Sequence, residues 1–131
     1  EKAVQELESI FGRYIDKYKR SDKLIPAGHN VRFDIDMLNK LFQKVGNPYL
    51  GSWINFKLSL CTLNAYMFLE IIGKVPKLDN HKLETVAQIF GVKLEQAHDA
   101  LNDIRATYEI GHKLLRMLGT GKEHSTKEPE Y

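Results

Sequence analysis

Two short segments hold the side chains whose type and spacing suit chemistry. The first is Ala27-Gly28-His29-Asn30-Val31-Arg32-Phe33-Asp34-Ile35-Asp36-Met37-Leu38. Here a strand runs into a tight turn, and Asp34 stands at the mouth of the next helix. Ligand sites in parallel α/β sheets lie at the carboxyl ends of strands, so a carboxylate at this point is well placed for function. Aspartate also caps helices well, and for Asp34 taken alone the local chemistry favours capping. The second segment is His98-Asp99-Ala100-Leu101-Asn102-Asp103. His98 and Asp103 would lie about 140° apart on an ideal helix. They converge only if His98 precedes the helix and Asp103 sits one turn inside it, an arrangement that Asp99 as N-cap would give. Taken alone, Asp103 reads as a solvated aspartate.

The elements that would position these residues follow from hydrophobic spacing. Val4, Leu7, Phe11, Tyr14 and Tyr18 predict a first helix with one apolar stripe, ended by Ser21 and Asp22. Leu24-Ile25-Pro26-Ala27 reads as a short buried strand. A second helix is expected from near Asp34, turning Met37, Leu38, Leu41, Phe42 and Val45 inward and stopping at Gly46. Residues 47–56 are loop-like and aromatic. Tyr49, Trp53 and Phe56 there either stack bases or pack over the core, with packing favoured. Lys57–Leu63 alternates as a strand does, and a helix follows through Ile72. Lys82–Phe90 is amphipathic, and a last helix buries Leu101, Ile104, Tyr108, Leu115 and Leu118. Five helices with two strands suggest an α/β domain with a parallel sheet too small to stand alone.

Composition bounds the function classes. The 131 residues fit one domain, with 43% hydrophobic and 27% charged residues, a globular mix. No apolar run approaches the roughly 20 residues of a membrane helix. One cysteine, Cys61, makes neither an internal disulfide nor a cysteine-based zinc site. A cytoplasmic protein without a leader is the expectation. The net charge of +2 is compatible with nucleic-acid binding without arguing for it. Lys17, Lys19, Arg20 and Lys23 form a local basic excess, either a solvated helix end or a phosphate-contacting patch.

Together the two segments resemble the DnaQ-like 3′–5′ exonucleases of the DEDDh type, a family that includes the proofreading epsilon subunit of bacterial DNA polymerase III. His29, Asn30, Phe33, Asp34 and Leu38 match its second exonuclease motif. His98 and Asp103, with Ala100 and Leu101 between, match its third. Lys82–Ala87 and Phe90-Gly91-Val92 are similar to the family's helix before that motif. Five fixed positions meeting by chance is on the order of one in ten thousand at average residue usage. The resemblance implies a ribonuclease H-like α/β fold over residues 1–118, followed by a polar tail, 119–131. It departs from the family in two places. Cys61 stands where many members carry aspartate before Thr62-Leu63, and no Asp-x-Glu, the first motif, occurs in the sequence. In the family that pair lies on the first of three strands ahead of the helix with which this sequence opens. The expectation is therefore the C-terminal portion of the domain, lacking its first three strands.

The chemistry so implied is phosphodiester hydrolysis with two divalent cations, Mg2+ or Mn2+, releasing nucleoside 5′-monophosphates from the 3′ end of DNA or RNA. Asp34 and Asp103 would be metal ligands, two carboxylates of four. His98 would be the general base, titrating in the right range. Asn30 and Phe33 are the substrate-side candidates, better suited to shaping the turn around Asp34 than to touching the strand. With two carboxylates the chain alone should bind metals weakly and cleave poorly. Implied partners are a single-stranded 3′ end, a polymerase or a second copy, and no membrane. A non-catalytic binding module and an unrelated helical domain are the competing readings.

Overall fold

The computed structural model describes residues 1–95 and 99–119. Among these residues five helices and two strands follow one another: α1 (Lys2–Phe11), β1 (Ala27–Gly28), α2 (Val31–Lys44), β2 (Leu60–Cys61), α3 (Thr62–Ile71), α4 (Leu83–Ile89) and α5 (Ala100–Leu118). A 3-10 turn, Leu50–Ser52, interrupts the aromatic loop. The strands pair in parallel, Ala27 with Leu60 and Gly28 with Cys61, and a parallel bridge joins Leu24 to Ile54. No described helix is long and apolar enough to cross a membrane.

Two apolar clusters hold these elements. Val4, Val31, Ile35, Phe42, Leu50, Trp53 and Ile54 seat α1 and α2 on the aromatic loop. Tyr66, Leu69, Val86, Ala87, Val92, Ala106, Ile110 and Leu114 bind α3, α4 and α5 together. Both α2 and α5 pack against β1, so the end of that strand faces the start of two helices.

Several expectations need correction. The first helix ends at Phe11 instead of Ser21, and Tyr14 and Tyr18 are exposed. Gly12 follows Phe11, and the carboxylates of Asp16 and Asp22 then take up local amides. Asp22 Oδ2 accepts from the Asp16 N–H and Asp16 Oδ1 from the Tyr18 N–H, each at 2.9 Å. Such bonds offer the backbone an alternative to the helical ladder. The strand expected over 24–27 is split around Pro26, which has no N–H to give; its carbonyl accepts from the Leu60 N–H at 2.9 Å. Ile25 is exposed rather than buried. The strand expected over 57–63 shrinks to two residues, because Asn55 Oδ1 accepts from the amides of Lys57 and Leu58 and α3 begins at Thr62.

The largest correction concerns α5. Leu101, Ile104, Tyr108, Leu115 and Leu118 are exposed, and the buried stripe is Ala106, Ile110 and Leu114. The helix is apolar on two faces, and α3 and α4 cover only one. Residues 120–131 of the expected tail lie outside the described residues.

Candidate active site

The uncovered face of α5 and the inner face of α2 wall an open cavity of about 1160 Å3. Met37, Leu38 and Leu41 line it from α2, Leu60 from β2, and Ile104, Tyr108, Leu115 and Leu118 from α5. Asp34 and Asp103 line the same cavity, although 69 residues separate them in the chain.

Asp34 reaches it through the β1–α2 turn. Asn30 adopts φ +63°, ψ +47°, the left-handed region that asparagine tolerates better than most residues. This closes the turn tightly, and α2 starts at Val31, three residues before Asp34. Asp34 is therefore in the first helical turn rather than at the cap, which corrects the capping reading. Its carboxylate still benefits from the positive end of the helix. A side chain on Gly28 would place its Cβ 3.1 Å from Asp34 Oδ2, so the bare strand end is what lets the carboxylate sit against it. Partial desolvation by its surroundings disfavours the charged form and holds the Asp34 carboxyl above its ordinary range, opposed by a hydrogen bond from its own backbone N–H.

Asp103 reaches the cavity from the first turn of α5, half-buried, with its amide bonded to the Asp99 carbonyl at 2.9 Å. Asp99 occupies the N-cap position as expected, without a side-chain cap bond. His98 lies outside the described residues. Asn30 is explained by its backbone, and Phe33 is 61% exposed on α2; neither lines the cavity.

Sequence reasoning missed the clamp behind this turn. His29 Nε2 lies 2.7 Å from the His81 carbonyl, which can only accept, so Nε2 carries the hydrogen. Nδ1 is then the acceptor for the Thr62 hydroxyl at 2.9 Å. Thr62 is buried, and its oxygen also lies 3.4 Å from the Gly28 carbonyl. His81 is held in turn by Glu70, Nε2 to Oε2 at 2.6 Å. The hydrogen bond with His81 pulls the Glu70 carboxyl below its ordinary range. The clamp spans 52 residues from His29 to His81, a separation that local pattern does not reveal.

Burial pushes the His29 imidazole below its ordinary value, more strongly than the His81 carbonyl raises it. The folded state thus binds fewer protons than the unfolded chain between that lowered pKa and about 6.5. Urea midpoints measured from pH 7.5 downward are expected to fall once the pH drops below about 6.5. The fall attributable to His29 should vanish in His29→Gln; an unchanged pH slope in that variant would refute it.

Among the described residues no group of three His, Cys, Asp or Glu gathers as a metal site. The two aspartates nevertheless offer the hard oxygen donors that Mg2+ and Mn2+ prefer. They are the right kind of ligand in reduced number.

The comparisons with known proteins point the same way. A family model described as Exonuclease matches residues 13–110. The chain is 35% identical over 97 residues to the PolC-type DNA polymerase III of Halalkalibacterium halodurans, covering 74% of this chain and 6% of that protein. It is 32% identical over 92 residues to the corresponding protein of Listeria monocytogenes, covering 70% and 6%. With that of Caldanaerobacter subterraneus it shares 28% over 112 residues, covering 86% and 7%. The chain thus spans less than a tenth of the length of these relatives. No solved structure matches it. With the family model covering well over half of its residues, the chain belongs to the DnaQ-like exonuclease family.

Proposed function

We propose that this chain supplies Asp34, His98 and Asp103 to a metal-dependent 3′–5′ exonuclease that releases nucleoside 5′-monophosphates from a nucleic-acid 3′ end. The observation that carries the reading is that Asp34 and Asp103 line one cavity from opposite parts of the chain. Their carboxylates would hold divalent cations. When bound, such ions would neutralise charge on the attacking and leaving oxygens of an in-line displacement. Asp34 and Asp103 offset that positive charge, and His98 takes the proton from the attacking water. The Asn30 turn sets where Asp34 sits. Phe33, exposed one residue earlier in the chain, is available to a terminal nucleotide.

Two carboxylates leave a pair of dications under-neutralised, so the remaining acids come from an Asp-x-Glu strand outside these 131 residues. Support comes from the apolar walls of α2 and α5, exposed beside a β1 that pairs with β2 alone among the described residues. Strands laid there would extend the sheet from β1 and cover the exposed side chains. Left uncovered, the same face favours self-association. Relatives named as DNA polymerase III support work beside a polymerase, on DNA.

The test is 3′ trimming of a 5′-labelled single strand with Mn2+, run beside Asp103→Asn. A slow ladder that vanishes in the variant is expected. Equal ladders from both would overturn the role of Asp103, and an Mn2+ affinity unchanged by Asp34→Asn would overturn the metal site.

A further inference from the structure

Away from the acid-bearing cavity, two segments that the sequence left unconnected meet. The basic stretch 17–23 folds onto the aromatic loop 47–53, and between them lies a pocket of about 270 Å3. It shares no lining residue with the cavity holding Asp34 and Asp103. The junction is fixed from both sides. Lys23 Nζ donates to the carbonyls of Lys17, at 2.7 Å, and Ser52, which makes Lys23 a tie between the loops rather than a solvated cation. Glu8 Oε1 accepts from Trp53 Nε1 and from Asn47 Nδ2, each at 3.1 Å, so its carboxylate is engaged by neutral donors. Lys17 Nζ lies 5.2 Å from the Trp53 ring and 5.3 Å from the Tyr18 ring.

This framework presents two aromatic rings to solvent, Tyr18 at 86% exposure and Tyr49 at 69%. Beside Tyr18 in the chain come Lys19 and Arg20. Asp16 and Asp22, the neighbouring acids, spend their carboxylates on backbone amides. Neither Lys19 nor Arg20 has an ion pair among the described residues. Open aromatic faces next to unpaired cations on a fixed support are what sequence-tolerant binding of single strands uses: bases stack, and phosphates meet the cations. The pocket is smaller than most small-molecule sites, which disfavours a large cofactor.

We propose that the junction of residues 17–20 with residues 47–53 is a binding site for single-stranded nucleic acid, distinct from the Asp34–Asp103 cavity. It extends the exonuclease reading by naming a surface that holds the strand away from its reacting end. Its ligand class is that of the exonuclease reading, but its binding requires no cleavage.

The test uses the full chain in EDTA at low salt, with fluorescein-labelled dT12 and rU12 as separate probes read by anisotropy. The Tyr18→Ala/Tyr49→Ala double variant is expected to weaken binding by at least about tenfold, since stacking contributes strongly per base. Tyr18→Phe/Tyr49→Phe keeps the rings and should retain binding. Lys19→Gln/Arg20→Gln should flatten the log–log salt dependence by about 1.4, two phosphate contacts on a single strand. Emission of the single tryptophan, Trp53, should change on titration. The two probes separate DNA from RNA as the source of the strand. Binding that ignores the tyrosines, Trp53 emission that stays constant, or no binding of either probe would overturn the proposal. Loss of trimming with intact binding would count against the exonuclease reading and leave this site standing.

Discussion

Ile110→Ala is expected to cost about 2–5 kcal/mol of unfolding free energy, whereas Ile104→Ala, on the same helix, should cost less than about 0.5 kcal/mol. Ile110 is fully buried among Tyr66, Leu69, Val86 and Ala87, while Ile104 is 65% exposed in the wall of the cavity. The two side chains project about 120° apart around α5. A domain of this size has roughly 5–15 kcal/mol in total, so the first substitution removes a large share of it. Urea unfolding of both variants beside the parent chain gives the comparison directly. Equal losses would mean that the cavity face is covered in solution, by a second copy or by another chain.

The contrast also explains what periodicity could and could not reveal. Leu101, Ile104, Tyr108, Leu115 and Leu118 do form an apolar stripe, and the helix expected from them exists. Ala106, Ile110 and Leu114 form another, and hydrophobic spacing alone does not say which one the rest of the chain covers. The turn carrying Asp34 was legible because its signals are local: a glycine at the strand end, an asparagine able to take a positive φ, and a helix beyond. The end of α1 was not, because the competition from Asp16 and Asp22 is a matter of side-chain geometry rather than hydrophobic pattern. In the sequence Tyr49, Trp53 and Phe56 form one aromatic unit, but the structure divides them. Trp53 is buried, its ring centroid 6.0 Å from that of Phe11, while Tyr49 and Phe56 remain exposed.

His98→Ala is expected to lower the trimming rate by about 10²–10⁴-fold, the usual contribution of a positioned general base. A base must be unprotonated to accept the proton, so the parent rate should fall as the pH drops below about 6.5. In the variant that acid limb should disappear. Rates measured from pH 5.5 to 8.5 with Mn2+ in excess distinguish this from a structural role, which would lower the rate at every pH alike. A variant that keeps the acid limb would move the base to another residue. His29 does not compete for this role, because its two ring nitrogens are engaged by Thr62 and the His81 carbonyl, which leaves it no lone pair for an attacking water.

The pairings that shape the acid-bearing turn join distant stretches of chain. Leu24 meets Ile54, Ala27 meets Leu60, and His29 is clasped by Thr62 and His81. Each closes a long loop before it yields any stabilisation, and contacts of this kind slow folding. As the chain leaves a ribosome, α1 and α2 can form early from their own residues, but the turn between β1 and α2 lacks its last fastening until residue 81 has been made. The segment bearing Asp103 emerges later still. The meeting of Asp34 and Asp103 in one cavity is thus among the last features the growing chain acquires, completed only with α5.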